Sequence, residues 1–159
     1  MPTTKTWTSI VPNNIDKVWD FFSRPENLNE ITPDDMKFQF LTDTKGKKMY
    51  EGMIIRYKVS PLPLMKFNWV TEITKIREKE YFVDEQRIGP YRMWHHEHHF
   101  EAVEGGVKMT DIVSYRVPFG LLGKLVNWLF VGKKVAGIFK YREQVIGRFF
   151  EVGGQRSGI

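Results

Sequence analysis

All four histidines of the chain fall in one short stretch, Trp94-His95-His96-Glu97-His98-His99-Phe100. Imidazole titrates near neutral pH, so it can give or take a proton, ligate a metal or orient an oxygen atom. In an extended strand successive side chains point to opposite faces. Trp94, His96, His98 and Phe100 therefore share one face, and His95, Glu97 and His99 share the other. A face with aromatic margins and imidazoles at its centre is too polar for a plain core and too apolar for a solvated surface. It has the character of a pocket wall.

Hairpin geometry brings further groups to that face. A two-residue turn at Glu104-Gly105 sets Phe100 opposite Met109, His98 opposite Asp111, His96 opposite Val113 and Trp94 opposite Tyr115,. A two-residue turn at Glu78-Lys79 pairs Arg77 with Glu80, Ile73 with Asp84 and Thr71 with Gln86. Phe82, Asp84 and Gln86 then join the buried side of Phe67, Trp69 and Ile73. The intervening Gly89-Pro90 connection must be a bulge or an odd-length loop, because a strict two-residue turn would put Gln86 and Trp94 on opposite faces,. Asp84, Gln86, His96, His98, Asp111 and Tyr115 converge on one surface. Buried carboxylates are costly, so these groups must bond one another, water or a ligand.

Three chemistries fit such a set. His98 opposite Asp111 has the form of an oriented general base, with His96 or Tyr115 polarising a carbonyl or donating a proton, which suits cyclisation or dehydration. The same groups would equally serve as a hydrogen-bond network that holds strands in register. His96 and His98 with Asp84 and Asp111 are also metal-ligand types, yet no metal-binding spacing accompanies them, and the expectation is no metal and no cofactor. His95, Glu97 and His99 read as a solvated outer face. The chain has no nucleophile elbow and no phosphate-binding loop: Gly120-Leu121-Leu122-Gly123-Lys124 is too short for one,.

The surrounding pattern supplies the elements that must hold these residues. Residues 3–11 read as a β-branched first strand. Asn14 is placed to cap a helix whose face is Ile15, Val18, Trp19 and Phe22,. A second short helix starts at Ser23-Arg24-Pro25 and ends near Ile31-Thr32-Pro33. From Met36 to Pro118 the period is two, including Met36, Phe38 and Phe40 as one face of a strand,. Ser60 to Met65 reads as an unusually apolar loop, of which Leu62 to Met65 could act as a lid. Beyond Pro118-Phe119-Gly120 the helical period returns: Leu121, Leu125, Trp128, Val135, Phe139, Ile146 and Phe149 predict a long helix reaching about Phe150, interrupted by Gly123, Gly132, Gly137 and Gly147. Residues 1–150 are expected to form one domain, with 151–159 a flexible tail.

Composition narrows the setting. The chain has 159 residues, a net charge of +5 and no cysteine, which excludes disulfides and thiol catalysis,. The cluster Lys45-Gly46-Lys47-Lys48 lacks interleaved aromatics and reads as a solvated loop, so nucleic acid is not an expected partner,. No segment has the pattern of a secretory signal or a spanning helix, and the expected location is cytoplasmic.

The element order, one strand, two short helices, six strands and a long last helix, resembles the START-like helix-grip superfamily, also called polyketide cyclase/dehydrase or SRPBCC. Val18-Trp19-Asp20-Phe21-Phe22, then Pro25-Glu26-Asn27-Leu28 and Ile31-Thr32-Pro33, look like its first helices. The spaced set Phe82, Asp84, Gln86, Gly89-Pro90-Tyr91, Trp94, His96, His98, Phe100, Asp111, Tyr115 and Pro118 resembles one bacterial ligand-binding branch, and Tyr141-Arg142 fits as well. The resemblance covers nearly the whole chain. It implies an α+β fold in which a curved antiparallel sheet of about seven strands wraps the last helix around a cavity. Members hold lipids, sterols, plant hormones, polyketides or other apolar molecules there, and a few catalyse cyclisation or dehydration. The expected partner is thus a small apolar ligand. Phe67, Trp69, Phe82, Trp94, Phe100, Val113, Val135 and Phe139 would form its apolar wall. Asp84, Gln86, His96, His98, Asp111 and Tyr115 would form its polar end. A cyclase or dehydratase, and a membrane-surface lipid carrier using the apolar turn Trp128 to Val131, are the alternatives.

Overall fold

The computed structural model describes residues 2–62, 65–118, 120 and 130–154. The first strand, β1 (Thr3–Val11), alternates inward and outward side chains along its β-branched run,. Asn14 caps helix α1 (Ile15–Phe22), its side-chain oxygen accepting from the Lys17 N–H at 2.9 Å,. Val18, Trp19, Phe21 and Phe22 are the buried side of this helix. Two short 3-10 turns follow, Pro25–Leu28 and Asp34–Met36.

Six more strands complete one sheet: β2 (Gln39–Phe40), β3 (Ile54–Leu62), β4 (Met65–Arg77), β5 (Tyr81–Ile88), β6 (Met93–Val103) and β7 (Gly106–Arg116). Their order is β1-β7-β6-β5-β4-β3-β2, with every pairing antiparallel. The last helix, α2 (Gly132–Gly154), packs against the sheet. Its buried side is Val135, Phe139, Arg142, Ile146 and Phe150, one stripe at helical spacing,. Phe139 stacks flat on Trp7 of β1, with ring centres 3.9 Å apart. Phe21 of α1 meets Phe149 and Phe150 at the far end of α2. Among the described residues, no helix is long and apolar enough to cross a membrane.

The α+β helix-grip architecture agrees with the sequence pattern, and the local differences have physical causes. The strand expected from Met36 shrinks to Gln39–Phe40, because Met36 closes a 3-10 turn and Lys37 leaves it at a left-handed φ of 45°. The turn after β4 is one residue longer than expected: Arg77 pairs with Tyr81, not Glu80, around Lys79 at φ 62°. A bulge between Ile73 and Lys75 cancels that offset, so Ile73 still pairs with Asp84 and Thr71 with Gln86,. The β6–β7 hairpin has the expected register throughout, from Val103–Gly106 to Trp94–Tyr115. Gly106 is required there, since a Cβ would lie 2.2 Å from the Val11 carbonyl oxygen of β1,.

Within the segment read as a loop, Ser60–Leu62 and Met65 belong to strands. β3 runs to Leu62, which pairs with Met65 of β4. Its tip, Pro63 and Leu64, lies outside the described residues, as do Leu121, Gly123, Leu125 and Trp128 of the expected helix start. α2 continues past Phe150 to Gly154.

Candidate functional site

Three neighbouring strands carry the polar cluster. β5 contributes Asp84, β6 contributes His96 and His98, and β7 contributes Asp111. Across the strands Asp84 sits opposite His96, and Asp111 opposite His98. The best hydrogen bonds run diagonally instead. His96 Nε2 donates to Asp111 Oδ1 at 2.8 Å, and His98 Nε2 donates to Asp84 Oδ2 at 2.9 Å,. Two further approaches complete a ring: His98 Nδ1 lies 2.9 Å from Asp111 Oδ1, off the line of a hydrogen bond, and His96 Nδ1 lies 3.4 Å from Asp84 Oδ2. The two imidazoles face one another with centres 3.7 Å apart. Arg142 reaches in from α2, its Nη1 3.6 Å from Asp111 Oδ1 and its guanidinium over the Phe139 ring,.

Both histidines, Asp111 and Arg142 are buried, and the Asp84 side chain is 17% exposed. Burial and the neighbouring His98 charge push His96 down to about 4, against the pull of Asp111,. Burial also opposes charge on His98, but its contacts with Asp111 and Asp84 outweigh that and raise its pKa. Burial favours the neutral forms of Asp84 and Asp111 too. The bond from His98 overcomes this at Asp84, and those from His96 and His98 overcome it at Asp111, so both acids are shifted down. Near neutral pH the cluster is therefore two carboxylates, a protonation-prone His98 and a neutral His96, with the Arg142 cation behind them.

Asp84, His96 and His98 form part of the wall of a cavity of about 160 Å³ between sheet and α2. Trp69, Phe82, Trp94, Val135 and Phe139 line it as well. The remaining expected residues lie elsewhere. Phe100 packs into the cluster of Trp19, Phe22 and Phe82. Val113 and Tyr115 are fully buried beside Val135 and Trp94, under the wall and not on it. Phe67 packs on the outer part of the β3–β4 cluster. Gln86 folds back on its own loop, donating to the Tyr91 carbonyl at 2.6 Å and accepting from the Tyr91 N–H at 3.2 Å. The β5–β6 register, with Asp84 opposite His96 and Glu85 opposite His95, has the odd parity expected of the Gly89-Pro90 connection. Asp111 faces a second, smaller cavity of about 60 Å³ beside Trp7 and Glu143.

The cavity wall also holds residues not expected from the sequence. Tyr57 of β3 shares a hydrogen bond with Thr71 Oγ1 at 2.9 Å, and Trp69 Nε1 donates to the same oxygen at 3.0 Å. Arg142 lines both cavities. Phe21, Phe22, Leu28 and Ile31 close the main cavity from α1 and the first 3-10 turn. Tyr57 was readable as an inward member of Met53, Ile55, Tyr57, Val59. Arg142 was readable as the one charged residue in the stripe Val135, Phe139, Ile146.

The cluster can orient an oxygen-bearing ligand, hold a proton between two carboxylates, or ligate an ion. Asp84, His96 and His98 offer ligand atoms within 4.8 Å of one another. Solved structures share this fold. A Thermus thermophilus protein is 13% identical with a TM-score of 0.67, covering 91% of this chain and 97% of its own. A major latex-like protein from Panax ginseng is 12% identical with a TM-score of 0.68, covering 94% and 97%. A Chromobacterium violaceum protein is 11% identical with a TM-score of 0.67, covering 94% and 99%. None of the curated proteins matches the sequence. Residues 11–140 match the family described as polyketide cyclase / dehydrase and lipid transport, and the chain belongs to that family.

Proposed function

We propose that the protein binds one small, largely apolar molecule between the sheet and α2, with an oxygen-bearing end directed at Asp84, His96 and His98. The observation that carries this reading is the cavity itself. Aromatic and aliphatic side chains make up most of its lining, and Asp84, His96 and His98 form one polar patch within it,. Its volume of about 160 Å³ resembles that of an apolar cavity able to take a single benzene ring. A ring-sized body with a carbonyl or hydroxyl therefore suits it better than a long acyl chain.

The test uses anilinonaphthalene sulfonate as the reporter and a series of hydroxylated or carbonyl-bearing aromatic compounds as competitors. Saturable displacement with a rise in Tm is expected. Ile138→Trp, which fills the cavity from α2, should weaken competitor binding at least tenfold. Unchanged binding in that variant would sink the reading.

A second reading is acid–base catalysis on a bound carbonyl compound, favoured by the bond of His98 to Asp84 and its close approach to Asp111. The raised pKa suits His98 to giving a proton more than to taking one,. This reading expects product formation that disappears in His98→Gln while the ligand still binds.

A further inference from the structure

His96 donates through Nε2 to Asp111, so that nitrogen carries the ring's proton,. Its Nδ1 then presents a bare lone pair to Asp84 Oδ2 at 3.4 Å, with no hydrogen bond between them. Two acceptors thus face each other in a site mostly closed to water, an arrangement that a cation would satisfy. The same Asp84 oxygen is 2.9 Å from His98 Nε2.

From these contacts we infer that Asp84 Oδ2, His96 Nδ1 and His98 Nε2 form a binding site for a divalent first-row transition ion, zinc or ferrous iron, in the wall of the main cavity.

The carboxylate-to-imidazole spacing suits a shared ion, and the three ligand atoms lie within 4.8 Å of one another. Two ligand atoms about 2.0–2.2 Å from one metal, at angles near 90–110°, are separated by roughly 2.9–3.5 Å. The two N···O distances, 2.9 and 3.4 Å, fall within that range. The outer shell is also in place. The opposite ring nitrogens, His96 Nε2 and His98 Nδ1, both lie beside Asp111 Oδ1, at 2.8 and 2.9 Å. A carboxylate behind each ligating imidazole fixes its tautomer and raises its basicity. His98 Nδ1 makes no hydrogen bond among the described residues. A small ring rotation on ligation would give it one to Asp111. Two imidazoles and one carboxylate leave coordination positions open, and all three residues line the cavity, so those positions face it,.

When His98 is an imidazolium, the Nε2 proton leaves to water on binding and the ring keeps its Nδ1 proton toward Asp111; when it is neutral, the proton moves from Nε2 to Nδ1 and none is released. Nothing is oxidised or reduced. Occupancy would take His98 out of proton transfer. The inference does not depend on the organic ligand proposed above, because it concerns the ion alone.

The experiment titrates chelator-treated full-length protein with Co²⁺ alone. One Co²⁺ per chain is expected, with visible d–d absorption that Zn²⁺ abolishes by displacement. Asp84→Asn and His98→Gln should each weaken binding at least 100-fold, and Asp111→Asn 10- to 100-fold. His95→Gln, on the opposite face of β6, should leave it unchanged. Should the inner variants unfold, ¹⁵N NMR of the wild-type imidazoles with Zn²⁺ provides the answer: His96 Nδ1 and His98 Nε2 should shift, and the His95 and His99 rings should not. Absence of a stoichiometric Co²⁺ band, or shifts confined to His95 and His99, would overturn the inference.

Discussion

The two faces of β6 carry nearly the same chemistry in two different solvents. Inward, His96 and His98 meet Asp84 and Asp111. Outward, His95 contacts Glu85 at 2.9 Å and Glu97 at 3.3 Å, and His99 contacts Glu97 at 2.9 Å. Each face is a chain of imidazoles and carboxylates at similar distances. The inner histidines are about 4–6% exposed, whereas the outer side chains are 30–41% exposed. Burial splits the inner pair, driving His96 toward the neutral form while its carboxylate partners hold the proton on His98. Water screens the outer set. The sequence pattern sets the two clusters apart by their flanking residues, and the solvent on each side turns that difference into chemistry.

Truncating one acid on each face gives the widest contrast. Asp111→Ala strips His96, His98 and Arg142 of their shared partner and should cost about 3–5 kcal/mol in urea unfolding. Glu97→Ala, at the centre of the outer chain, should cost less than about 1 kcal/mol. Equal losses would mean that the inner face is hydrated in solution.

The pH dependence of stability sharpens the same contrast. The His96 pKa is about 4 in the fold and about 6.5 in the unfolded chain,. Its contribution is therefore complete above pH 6.5 and is lost as pH falls toward 4, for a total of about 3 kcal/mol. His98 is raised, so its stabilisation is complete below pH 6.5 and fades as pH climbs through its folded value. Asp84 and Asp111 are lowered, and their contribution is lost only below the ordinary carboxylate range. Unfolding free energy should thus peak near pH 6.5 and decline on the acid side. His96→Gln should flatten the limb between pH 6.5 and 4.

The smallest effect belongs to the outermost position. His99→Gln at pH 7 should change stability by no more than about 0.5 kcal/mol. A larger loss would show that the outer chain of acids and imidazoles is cooperative.

Much of this was legible in the residues. Alternation along β6 and β7 with the Glu104-Gly105 turn was enough to fix the pairing of His98 with Asp111 and of His96 with Val113. What alternation cannot give is where a side chain's end comes to rest. Imidazoles reach diagonally, so each histidine's best partner is the carboxylate opposite its neighbour. Gln86 lies on the expected strand, but a bond to the Tyr91 backbone draws its amide into the loop. Arg142 had a signal, a charge within an apolar helical stripe, yet its proximity to Asp111 depends on how α2 crosses the sheet. The compensating turn and bulge around Lys79 and Thr74 left the face of Asp84 unchanged for a reason no pattern discloses.

The pairing of β1 with β7 also governs the order in which the fold can be completed. Val11 meets Val107 and Thr3 meets Tyr115, so the first strand waits for a partner made roughly a hundred residues later, a separation that places folding toward the millisecond-to-second range. Until β7 leaves the ribosome, Trp7 has neither its neighbouring strand nor the Phe139 ring to stack on. Emergence of β7 and α2, more than any local event, should time the final closure.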